Sequence, residues 1–239
     1  MKFKLLESRA LYHLLVVIGL LFLGNCLALY LKFYANGMDS KITRLLIKLF
    51  DFNREVNLPT YFSSLLLLAN AILLALIGYQ YKALNKNFWQ WLGLSAIFGF
   101  LALDEMVQIH EHVRAPTEAL LNTTGIAYFA WFIPYLLIMF ILAIIYFKFM
   151  ARLQIRILKL FIFSAVLYIS GAVVVEAISG MHAEVHGEQT LTYAILYTFE
   201  ELLEMLGLAV FFYALLCYIT SHFKNFKVKF KETRKVIME

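Results

Sequence analysis

Apolar residues run along this chain in six long blocks separated by short polar stretches. The blocks cover about residues 10–33, 61–80, 88–112, 126–148, 157–180 and 192–220. Each is near or above the roughly 20 residues a helix needs to cross a bilayer. The pattern predicts an all-α polytopic membrane protein, a six-helix transmembrane bundle filling one domain over residues 1–239. The first polar stretch has a period of its own. Ile42, Leu45, Leu46 and Leu49 share one helical face and Lys41, Arg44 and Lys48 another, which predicts a short helix lying in the interface of the first outer loop. Trp89 and Trp91 open the third block and Trp131 stands near the start of the fourth, the expected places for interfacial anchors. Lys2, Lys4 and Arg9 precede the first block as in a signal peptide, but no A-x-A pattern follows, so the block is expected to stay as the first span.

Composition agrees with this pattern. The chain is 62% hydrophobic and 15% charged, against about a half and about a quarter in soluble domains. Cys26 and Cys217 both fall inside apolar blocks and are expected to be small buried hydrophobes, neither a disulfide framework nor a metal motif. Charge adds orientation. Fifteen of the 21 Lys and Arg residues lie at the N-terminus, in the second and fourth loops and in the C-terminal tail. The other six are Lys32, Lys41, Arg44, Lys48, Arg54 and Arg114. The positive-inside rule then places both termini in the cytoplasm. The basic tail over 224–235 is expected to lie against anionic headgroups. Without an aromatic platform or a recognised motif it does not suggest a nucleic-acid partner. Asn122-Thr123-Thr124 forms a glycosylation sequon, which matters only in a eukaryotic secretory pathway.

Candidate chemistry comes from the acids. Seven of the 16 acidic residues fall in the outer parts of predicted helices: Asp104, Glu105, Glu111, Glu176, Glu200, Glu201 and Glu204. His110, His112, His182 and His186 lie on the same side. At a rise of about 1.5 Å per residue, Asp104 stands about 22 Å above Trp89, Glu176 about 26 Å above Lys159 and Glu204 about 26 Å above Ser221. Three spans thus deliver carboxylates to one layer. Read as a continuous helix, the third block puts Asp104, Gln108 and Glu111 on one stripe, with Glu105 and His112 beside it and His110 facing away. Glu200, Glu201 and Glu204 form a second stripe with Tyr193, Tyr197 and Gly207, where the glycine lets helices approach closely.

No Lys or Arg lies in either stripe. Unpaired carboxylates in low dielectric take up protons or a cation, and carboxylates with neutral imidazoles form a ligand set for zinc, iron or manganese. The expected metal ligands are Asp104, Glu111, His112, Glu176, His182, His186, Glu200 and Glu201. Glu105 and Glu204 are the expected catalytic acid–base groups, and the cofactor would be one or two zinc or iron ions. His182 and His186 share a face if their stretch is helical, but Gly180 and Gly187 bracket it and leave a loop open. The paired Glu-x-x-His motifs of di-iron bundles, HExxH, Gly-x-Ser-x-Gly and the P-loop are all absent. Ser63 and Ser64 are expected to satisfy the start of a helix, Asn70 to hydrogen-bond between helices, and Tyr193 and Tyr197 to pack.

Two resemblances follow from these residues. The segment from Glu55 through Asn57, Pro59 and Thr60 to Phe62, Ser63 and Ser64, with Leu103-Asp104-Glu105 and His110-Glu111, resembles a group of uncharacterised bacterial multi-pass membrane proteins. It covers roughly the second and third spans and implies a bacterial inner-membrane location but no activity. Leu103-Asp104-Glu105, a serine in span two and the His182/His186 spacing are similar to the alkaline ceramidase-like membrane hydrolases, which hold zinc with histidines. That family has seven spans and carries its HxxxH in the last.

The sequence reading is therefore a membrane-embedded metal-dependent enzyme, of hydrolase or oxidase type. Its site opens to the outer face and takes a lipid or lipid-soluble substrate from the bilayer. A proton or divalent-cation transporter is one alternative. A structural or sensory protein with protonated, hydrogen-bonded acids is the other. Oligomeric state is not encoded in any pattern found.

Overall fold

In a computed structural model, residues 2–35, 40–121, 123–129 and 131–223 are described, without the side chains of residues 2–6, 111, 114, 115, 118, 119 and 121. The tail over 224–235 and Asn122 of the sequon lie outside the described residues, as does the side chain of Glu111. The fold is an all-α polytopic bundle. The helices are α1 (Lys2–Phe33), α2 (Lys41–Phe50), α3 (Leu58–Ala83), α4 (Trp89–Val107), α5 (Ile109–Leu121), α6 (Phe132–Met150), α7 (Ile155–Ile169), α8 (Glu176–His186) and α9 (Leu191–His222). Six segments are long and apolar enough to cross a membrane: Glu7–Phe33, Leu58–Ala83, Trp89–Val107, Phe132–Met150, Ile155–His186 and Leu191–His222. The fifth joins α7 to α8 through a π turn, Ser170–Val175. The end of the bundle where α1 begins and α9 finishes is called the terminal end below, and the opposite one the acidic end.

Small residues and buried polar groups set the packing. Without a hydrophobic drive between helices in lipid, close backbone approach and interhelical hydrogen bonds do this work. On α9, a Cβ at Gly207 would stand 2.8 Å from the Tyr168 nitrogen, so only glycine lets α7 and α9 meet there. Ser164 donates to the Gly207 carbonyl at 2.9 Å. Asn70 donates to the Leu208 carbonyl at 3.2 Å, the interhelical bond expected of it. Ser64 donates to the Ala102 carbonyl and Ser95 to the Ala71 carbonyl, each at 2.8 Å, pinning α3 to α4. Ser63 and Ser64 therefore do not satisfy a helix start. That role falls to Asn57, whose side chain accepts from the Thr60 amide one turn earlier.

The short helix α2 forms where the amphipathic period predicts it, capped by Ser40 accepting from Thr43 N. None of its residues is fully buried; of its apolar stripe, Ile42 and Leu45 are exposed and Leu46 and Leu49 half-buried. Its end is fixed to the bundle by buried polar groups. Asn25 on α1 accepts from the Phe52 amide and donates to Thr198 on α9. Asp51, fully buried, pairs with Lys32 at 3.0 Å and accepts from the Tyr197 hydroxyl at 2.8 Å.

Two tryptophans depart from the interfacial expectation. Trp89 is exposed, but Trp91, one step further in, is a core residue 2% exposed. It packs among Tyr81, Phe149 and Tyr218. Trp131 faces inward at the acidic end, as described below. Hydropathy locates a tryptophan near an end of a span but does not say which way its ring turns.

Candidate functional site

The third span does not continue to residue 112. It ends at Val107, because Gln108 adopts the left-handed conformation (φ 61), and α5 starts afresh at Ile109. Few residues other than glycine, asparagine and aspartate enter that region readily, so nothing in the sequence announces the break. The stripe of Asp104, Gln108 and Glu111 is thereby lost. His112 is exposed, with its Nδ1 2.7 Å from the Gln108 carbonyl. His110, expected to face away, is folded back onto Asp104 instead. Its backbone amide donates to Asp104 Oδ1 at 2.8 Å, and its Nδ1 lies 3.3 Å from the same oxygen. The Tyr135 hydroxyl on α6 donates to the other oxygen, Oδ2, at 3.0 Å. Both Asp104 oxygens are thus in use. Burial alone would lower the His110 pKa, but the hydrogen bond and charge of Asp104, with Glu55 and Glu105 nearby, raise it to about 9.

A second set of carboxylates comes from the fifth and sixth spans. Glu176 follows the π turn, and Glu200, Glu201 and Glu204 share the first half of α9. Single π turns inside helices recur at functional sites, because the extra residue redirects side chains. Here the turn carries Gly171, where a Cβ would come within 2.6 Å of the Glu200 carbonyl oxygen. The two backbones meet, and Glu176 and Glu200 come within hydrogen-bonding reach of each other. The Trp131 indole N–H donates to Glu176 Oε1 at 2.7 Å, and its ring lies 5.0 Å from that of His110. Trp131 therefore bridges the two sets. Tyr168 is within hydrogen-bonding reach of Glu204.

Between the sets lies a cavity of about 920 Å³, large for a small-molecule site, where about 300–1,000 Å³ is usual. Glu55, Asp104, Glu105, Glu176, Glu200, Glu201 and Glu204 all line it, with His110, and no Lys or Arg of the described residues does. Toward the terminal end its walls turn apolar, with Leu94, Phe98, Leu142, Phe161 and Phe211. The side between α4 and α6 is open. These helices meet at their two ends, through Trp91 and Phe149 toward the terminal end and through Asp104 and Tyr135 at the acidic end, and part between. Ala96, Phe100 and Ile138 line the cavity and are exposed residues.

Of the sequence-derived candidates, Asp104, Glu105, Glu176, Glu200, Glu201 and Glu204 are brought to this cavity. His112, His182 and His186 are not among its lining residues. The HxxxH stretch is helical through Gly180, and Gly187 (φ 79) ends it. The two rings stack with centroids 4.7 Å apart, and His182 Nε2 meets the Thr190 hydroxyl at 2.8 Å. Glu55, His110, Trp131 and Tyr135 join the site without having been singled out for it. Glu55 sits beside Val56, a β-branched residue at φ 57, a strained conformation of the kind found beside functional groups. Among the described residues, no three His, Cys, Asp or Glu side chains are gathered closely enough to hold one ion. The carboxylates stand around a space.

Residues 10–218 match the family described as "Domain of unknown function (DUF8692)". No curated protein matches the chain, and no solved structure matches it.

Proposed function

The chain belongs to that DUF8692 family, and we propose that it is a membrane-embedded, metal-dependent enzyme of the hydrolase or oxidase type acting on a lipid or lipid-soluble substrate. One observation carries this reading. One cavity joins the carboxyl groups of Asp104, Glu105, Glu176, Glu200, Glu201 and Glu204, with no Lys or Arg among its described lining residues, to an apolar chamber open toward the bilayer. So many acids in low dielectric are neutralised by protons or by cations. Carboxylate oxygens are the donors that divalent zinc, iron or manganese accept. Glu176 and Glu200, within reach of each other, are the ligand pair we assign, and Glu201 would have to turn toward them to complete the set. Asp104 is not free for that role, since its two oxygens serve His110 and Tyr135.

A bound ion would supply Lewis acidity at the polar end of the cavity. The protein's own groups supply the rest. Glu105 and Glu204 face the cavity from opposite spans, placed to take and return a proton. His110 is oriented by Asp104 and is the basic side chain among the described residues of the lining. The apolar walls hold the substrate's hydrocarbon part and exclude water. A cation pathway would need polar groups continuing toward the terminal end, where the cavity is walled by leucine and phenylalanine. The positive-inside distribution supports a reading in which the acidic end lies outside a bacterial cell membrane and both termini in the cytoplasm.

Elemental analysis of protein purified after metal-supplemented growth tests the proposal. A stoichiometric transition metal that falls in Glu176→Gln and Glu201→Gln is expected. Less than about a tenth of an equivalent of every such metal would refute it.

A further inference from the structure

We propose that the cavity binds an amphiphile whose head group carries no phosphate or other anion, admitted from the bilayer between α4 and α6. The inference rests on the reading of the cavity as a site for a lipid-soluble substrate and names its class. Three observations carry it.

The first is the form of the cavity. It extends from Glu55 and Asn53 at the acidic end to Met150 and Phe211 toward the terminal end. Its polar groups are confined largely to the acidic end and its apolar ones fill the remainder, an arrangement complementary to a head and a tail. The second is the entrance. Ala96 and Phe100 on α4 and Ile138 on α6 belong both to the cavity lining and to the exposed surface. On α6 only Phe132 is buried. A chain lying in the bilayer reaches the cavity sideways without crossing water.

The third is charge. The head-group end presents carboxyl groups from the third, fifth and sixth spans, with no Lys or Arg among the described lining residues. Bidentate arginine and point-charge lysine are what phosphate sites use. An anionic head would find neither here, and His110 is already paired to Asp104. A hydroxyl, amide or ammonium head meets acceptors. Trp131, Tyr135, Tyr193 and Tyr197 also line this end, and aromatic faces favour a cation over an anion.

The test is native mass spectrometry on detergent-released protein, using three probes with one tail and different heads: hexadecylamine, monohexadecyl glycerol and hexadecyl phosphate. One-to-one adducts are expected with the amine and the glyceryl ether, at concentrations about tenfold or more below those needed for the phosphate, since an anion buried without a basic partner is strongly unfavourable. Ala96→Phe and Leu142→Phe narrow the entrance and the chamber from two helices. At least one is expected to remain folded by circular dichroism and gel filtration and to lose the adduct. An equal or tighter phosphate adduct overturns the proposal. So does an amine adduct undiminished in both folded variants, or the absence of any selective adduct. Metal content measured on the same preparation separates the two readings. Selective adducts on metal-free protein refute the metal-dependent enzyme and leave this inference standing. Metal without selective adducts does the reverse.

Discussion

Trp131 and Glu176 are 45 residues apart in sequence and are joined by an indole N–H to carboxylate hydrogen bond of 2.7 Å. The bond ties the start of α6 to the end of the π turn, one turn from the Tyr135 hydroxyl that ties α6 to Asp104 on α4. Trp131→Phe removes the donor together with one ring of the indole. Leaving a buried polar group unsatisfied costs about 1–3 kcal/mol, and Trp131→Phe is expected to lower stability by at least that amount in a detergent unfolding titration. An unchanged midpoint would mean that the bond contributes nothing.

The contact between α7 and α9 at Gly207 admits no side chain without moving backbone. Gly207→Ala is expected to destabilise by about 1–3 kcal/mol through overpacking. Gly19 and Gly99 sit on helices with nothing within 4 Å of an added Cβ. Gly19→Ala and Gly99→Ala are expected to be neutral or slightly stabilising in the same titration, since alanine is the better helix former.

Asp51 is 1% exposed and holds Lys32 and Tyr197 together. Asp51→Ala leaves a lysine facing a buried gap. Loss of one partner from a buried pair costs about 3–5 kcal/mol, and unfolding should show a loss toward that range. Lys32→Ala should cost less, because Tyr197 still donates to the carboxylate and Arg54 stands 4.0 Å away. A double-mutant cycle of Asp51 and Lys32 isolates the coupling.

His110 gives stability a pH dependence with a defined sign. Its folded pKa is raised from 6.5 to about 9, so the folded state binds this proton more tightly than the unfolded one. The contribution is fully present below about 6.5 and is lost as pH rises through about 9. Unfolding midpoints of the native chain are expected to fall between pH 7 and 9.5. His110→Gln should remove that part of the slope. An identical slope in both proteins would place the titration elsewhere.

The two kinds of signal in this sequence differ in how far they reach. Apolar run length gives all six spans, because a helix in lipid must satisfy its own backbone over a fixed thickness. The amphipathic period gives α2. The acids of the fifth and sixth spans were legible, since carboxylates inside apolar runs are costly and mark function. His110 was not. Its direction depends on one backbone angle at Gln108, and an error of one residue in where a helix stops turns the following side chains to other faces. Trp131 and Tyr135 carried no signal, because aromatic residues near a span's end are ordinary. The histidine pair showed the converse. Its helical spacing was real, but spacing along one helix does not say whether a neighbouring helix brings acids to it.

The helix α2 is held by Asn25, Lys32 and Tyr197 through the residues that follow it, and the same loop continues to Glu55 at the cavity lining. Because buried hydrogen bonds stand here in place of a loose linker, a displacement of the exposed Ile42 and Leu45 on α2 is passed on to the Glu55 loop rather than lost before it.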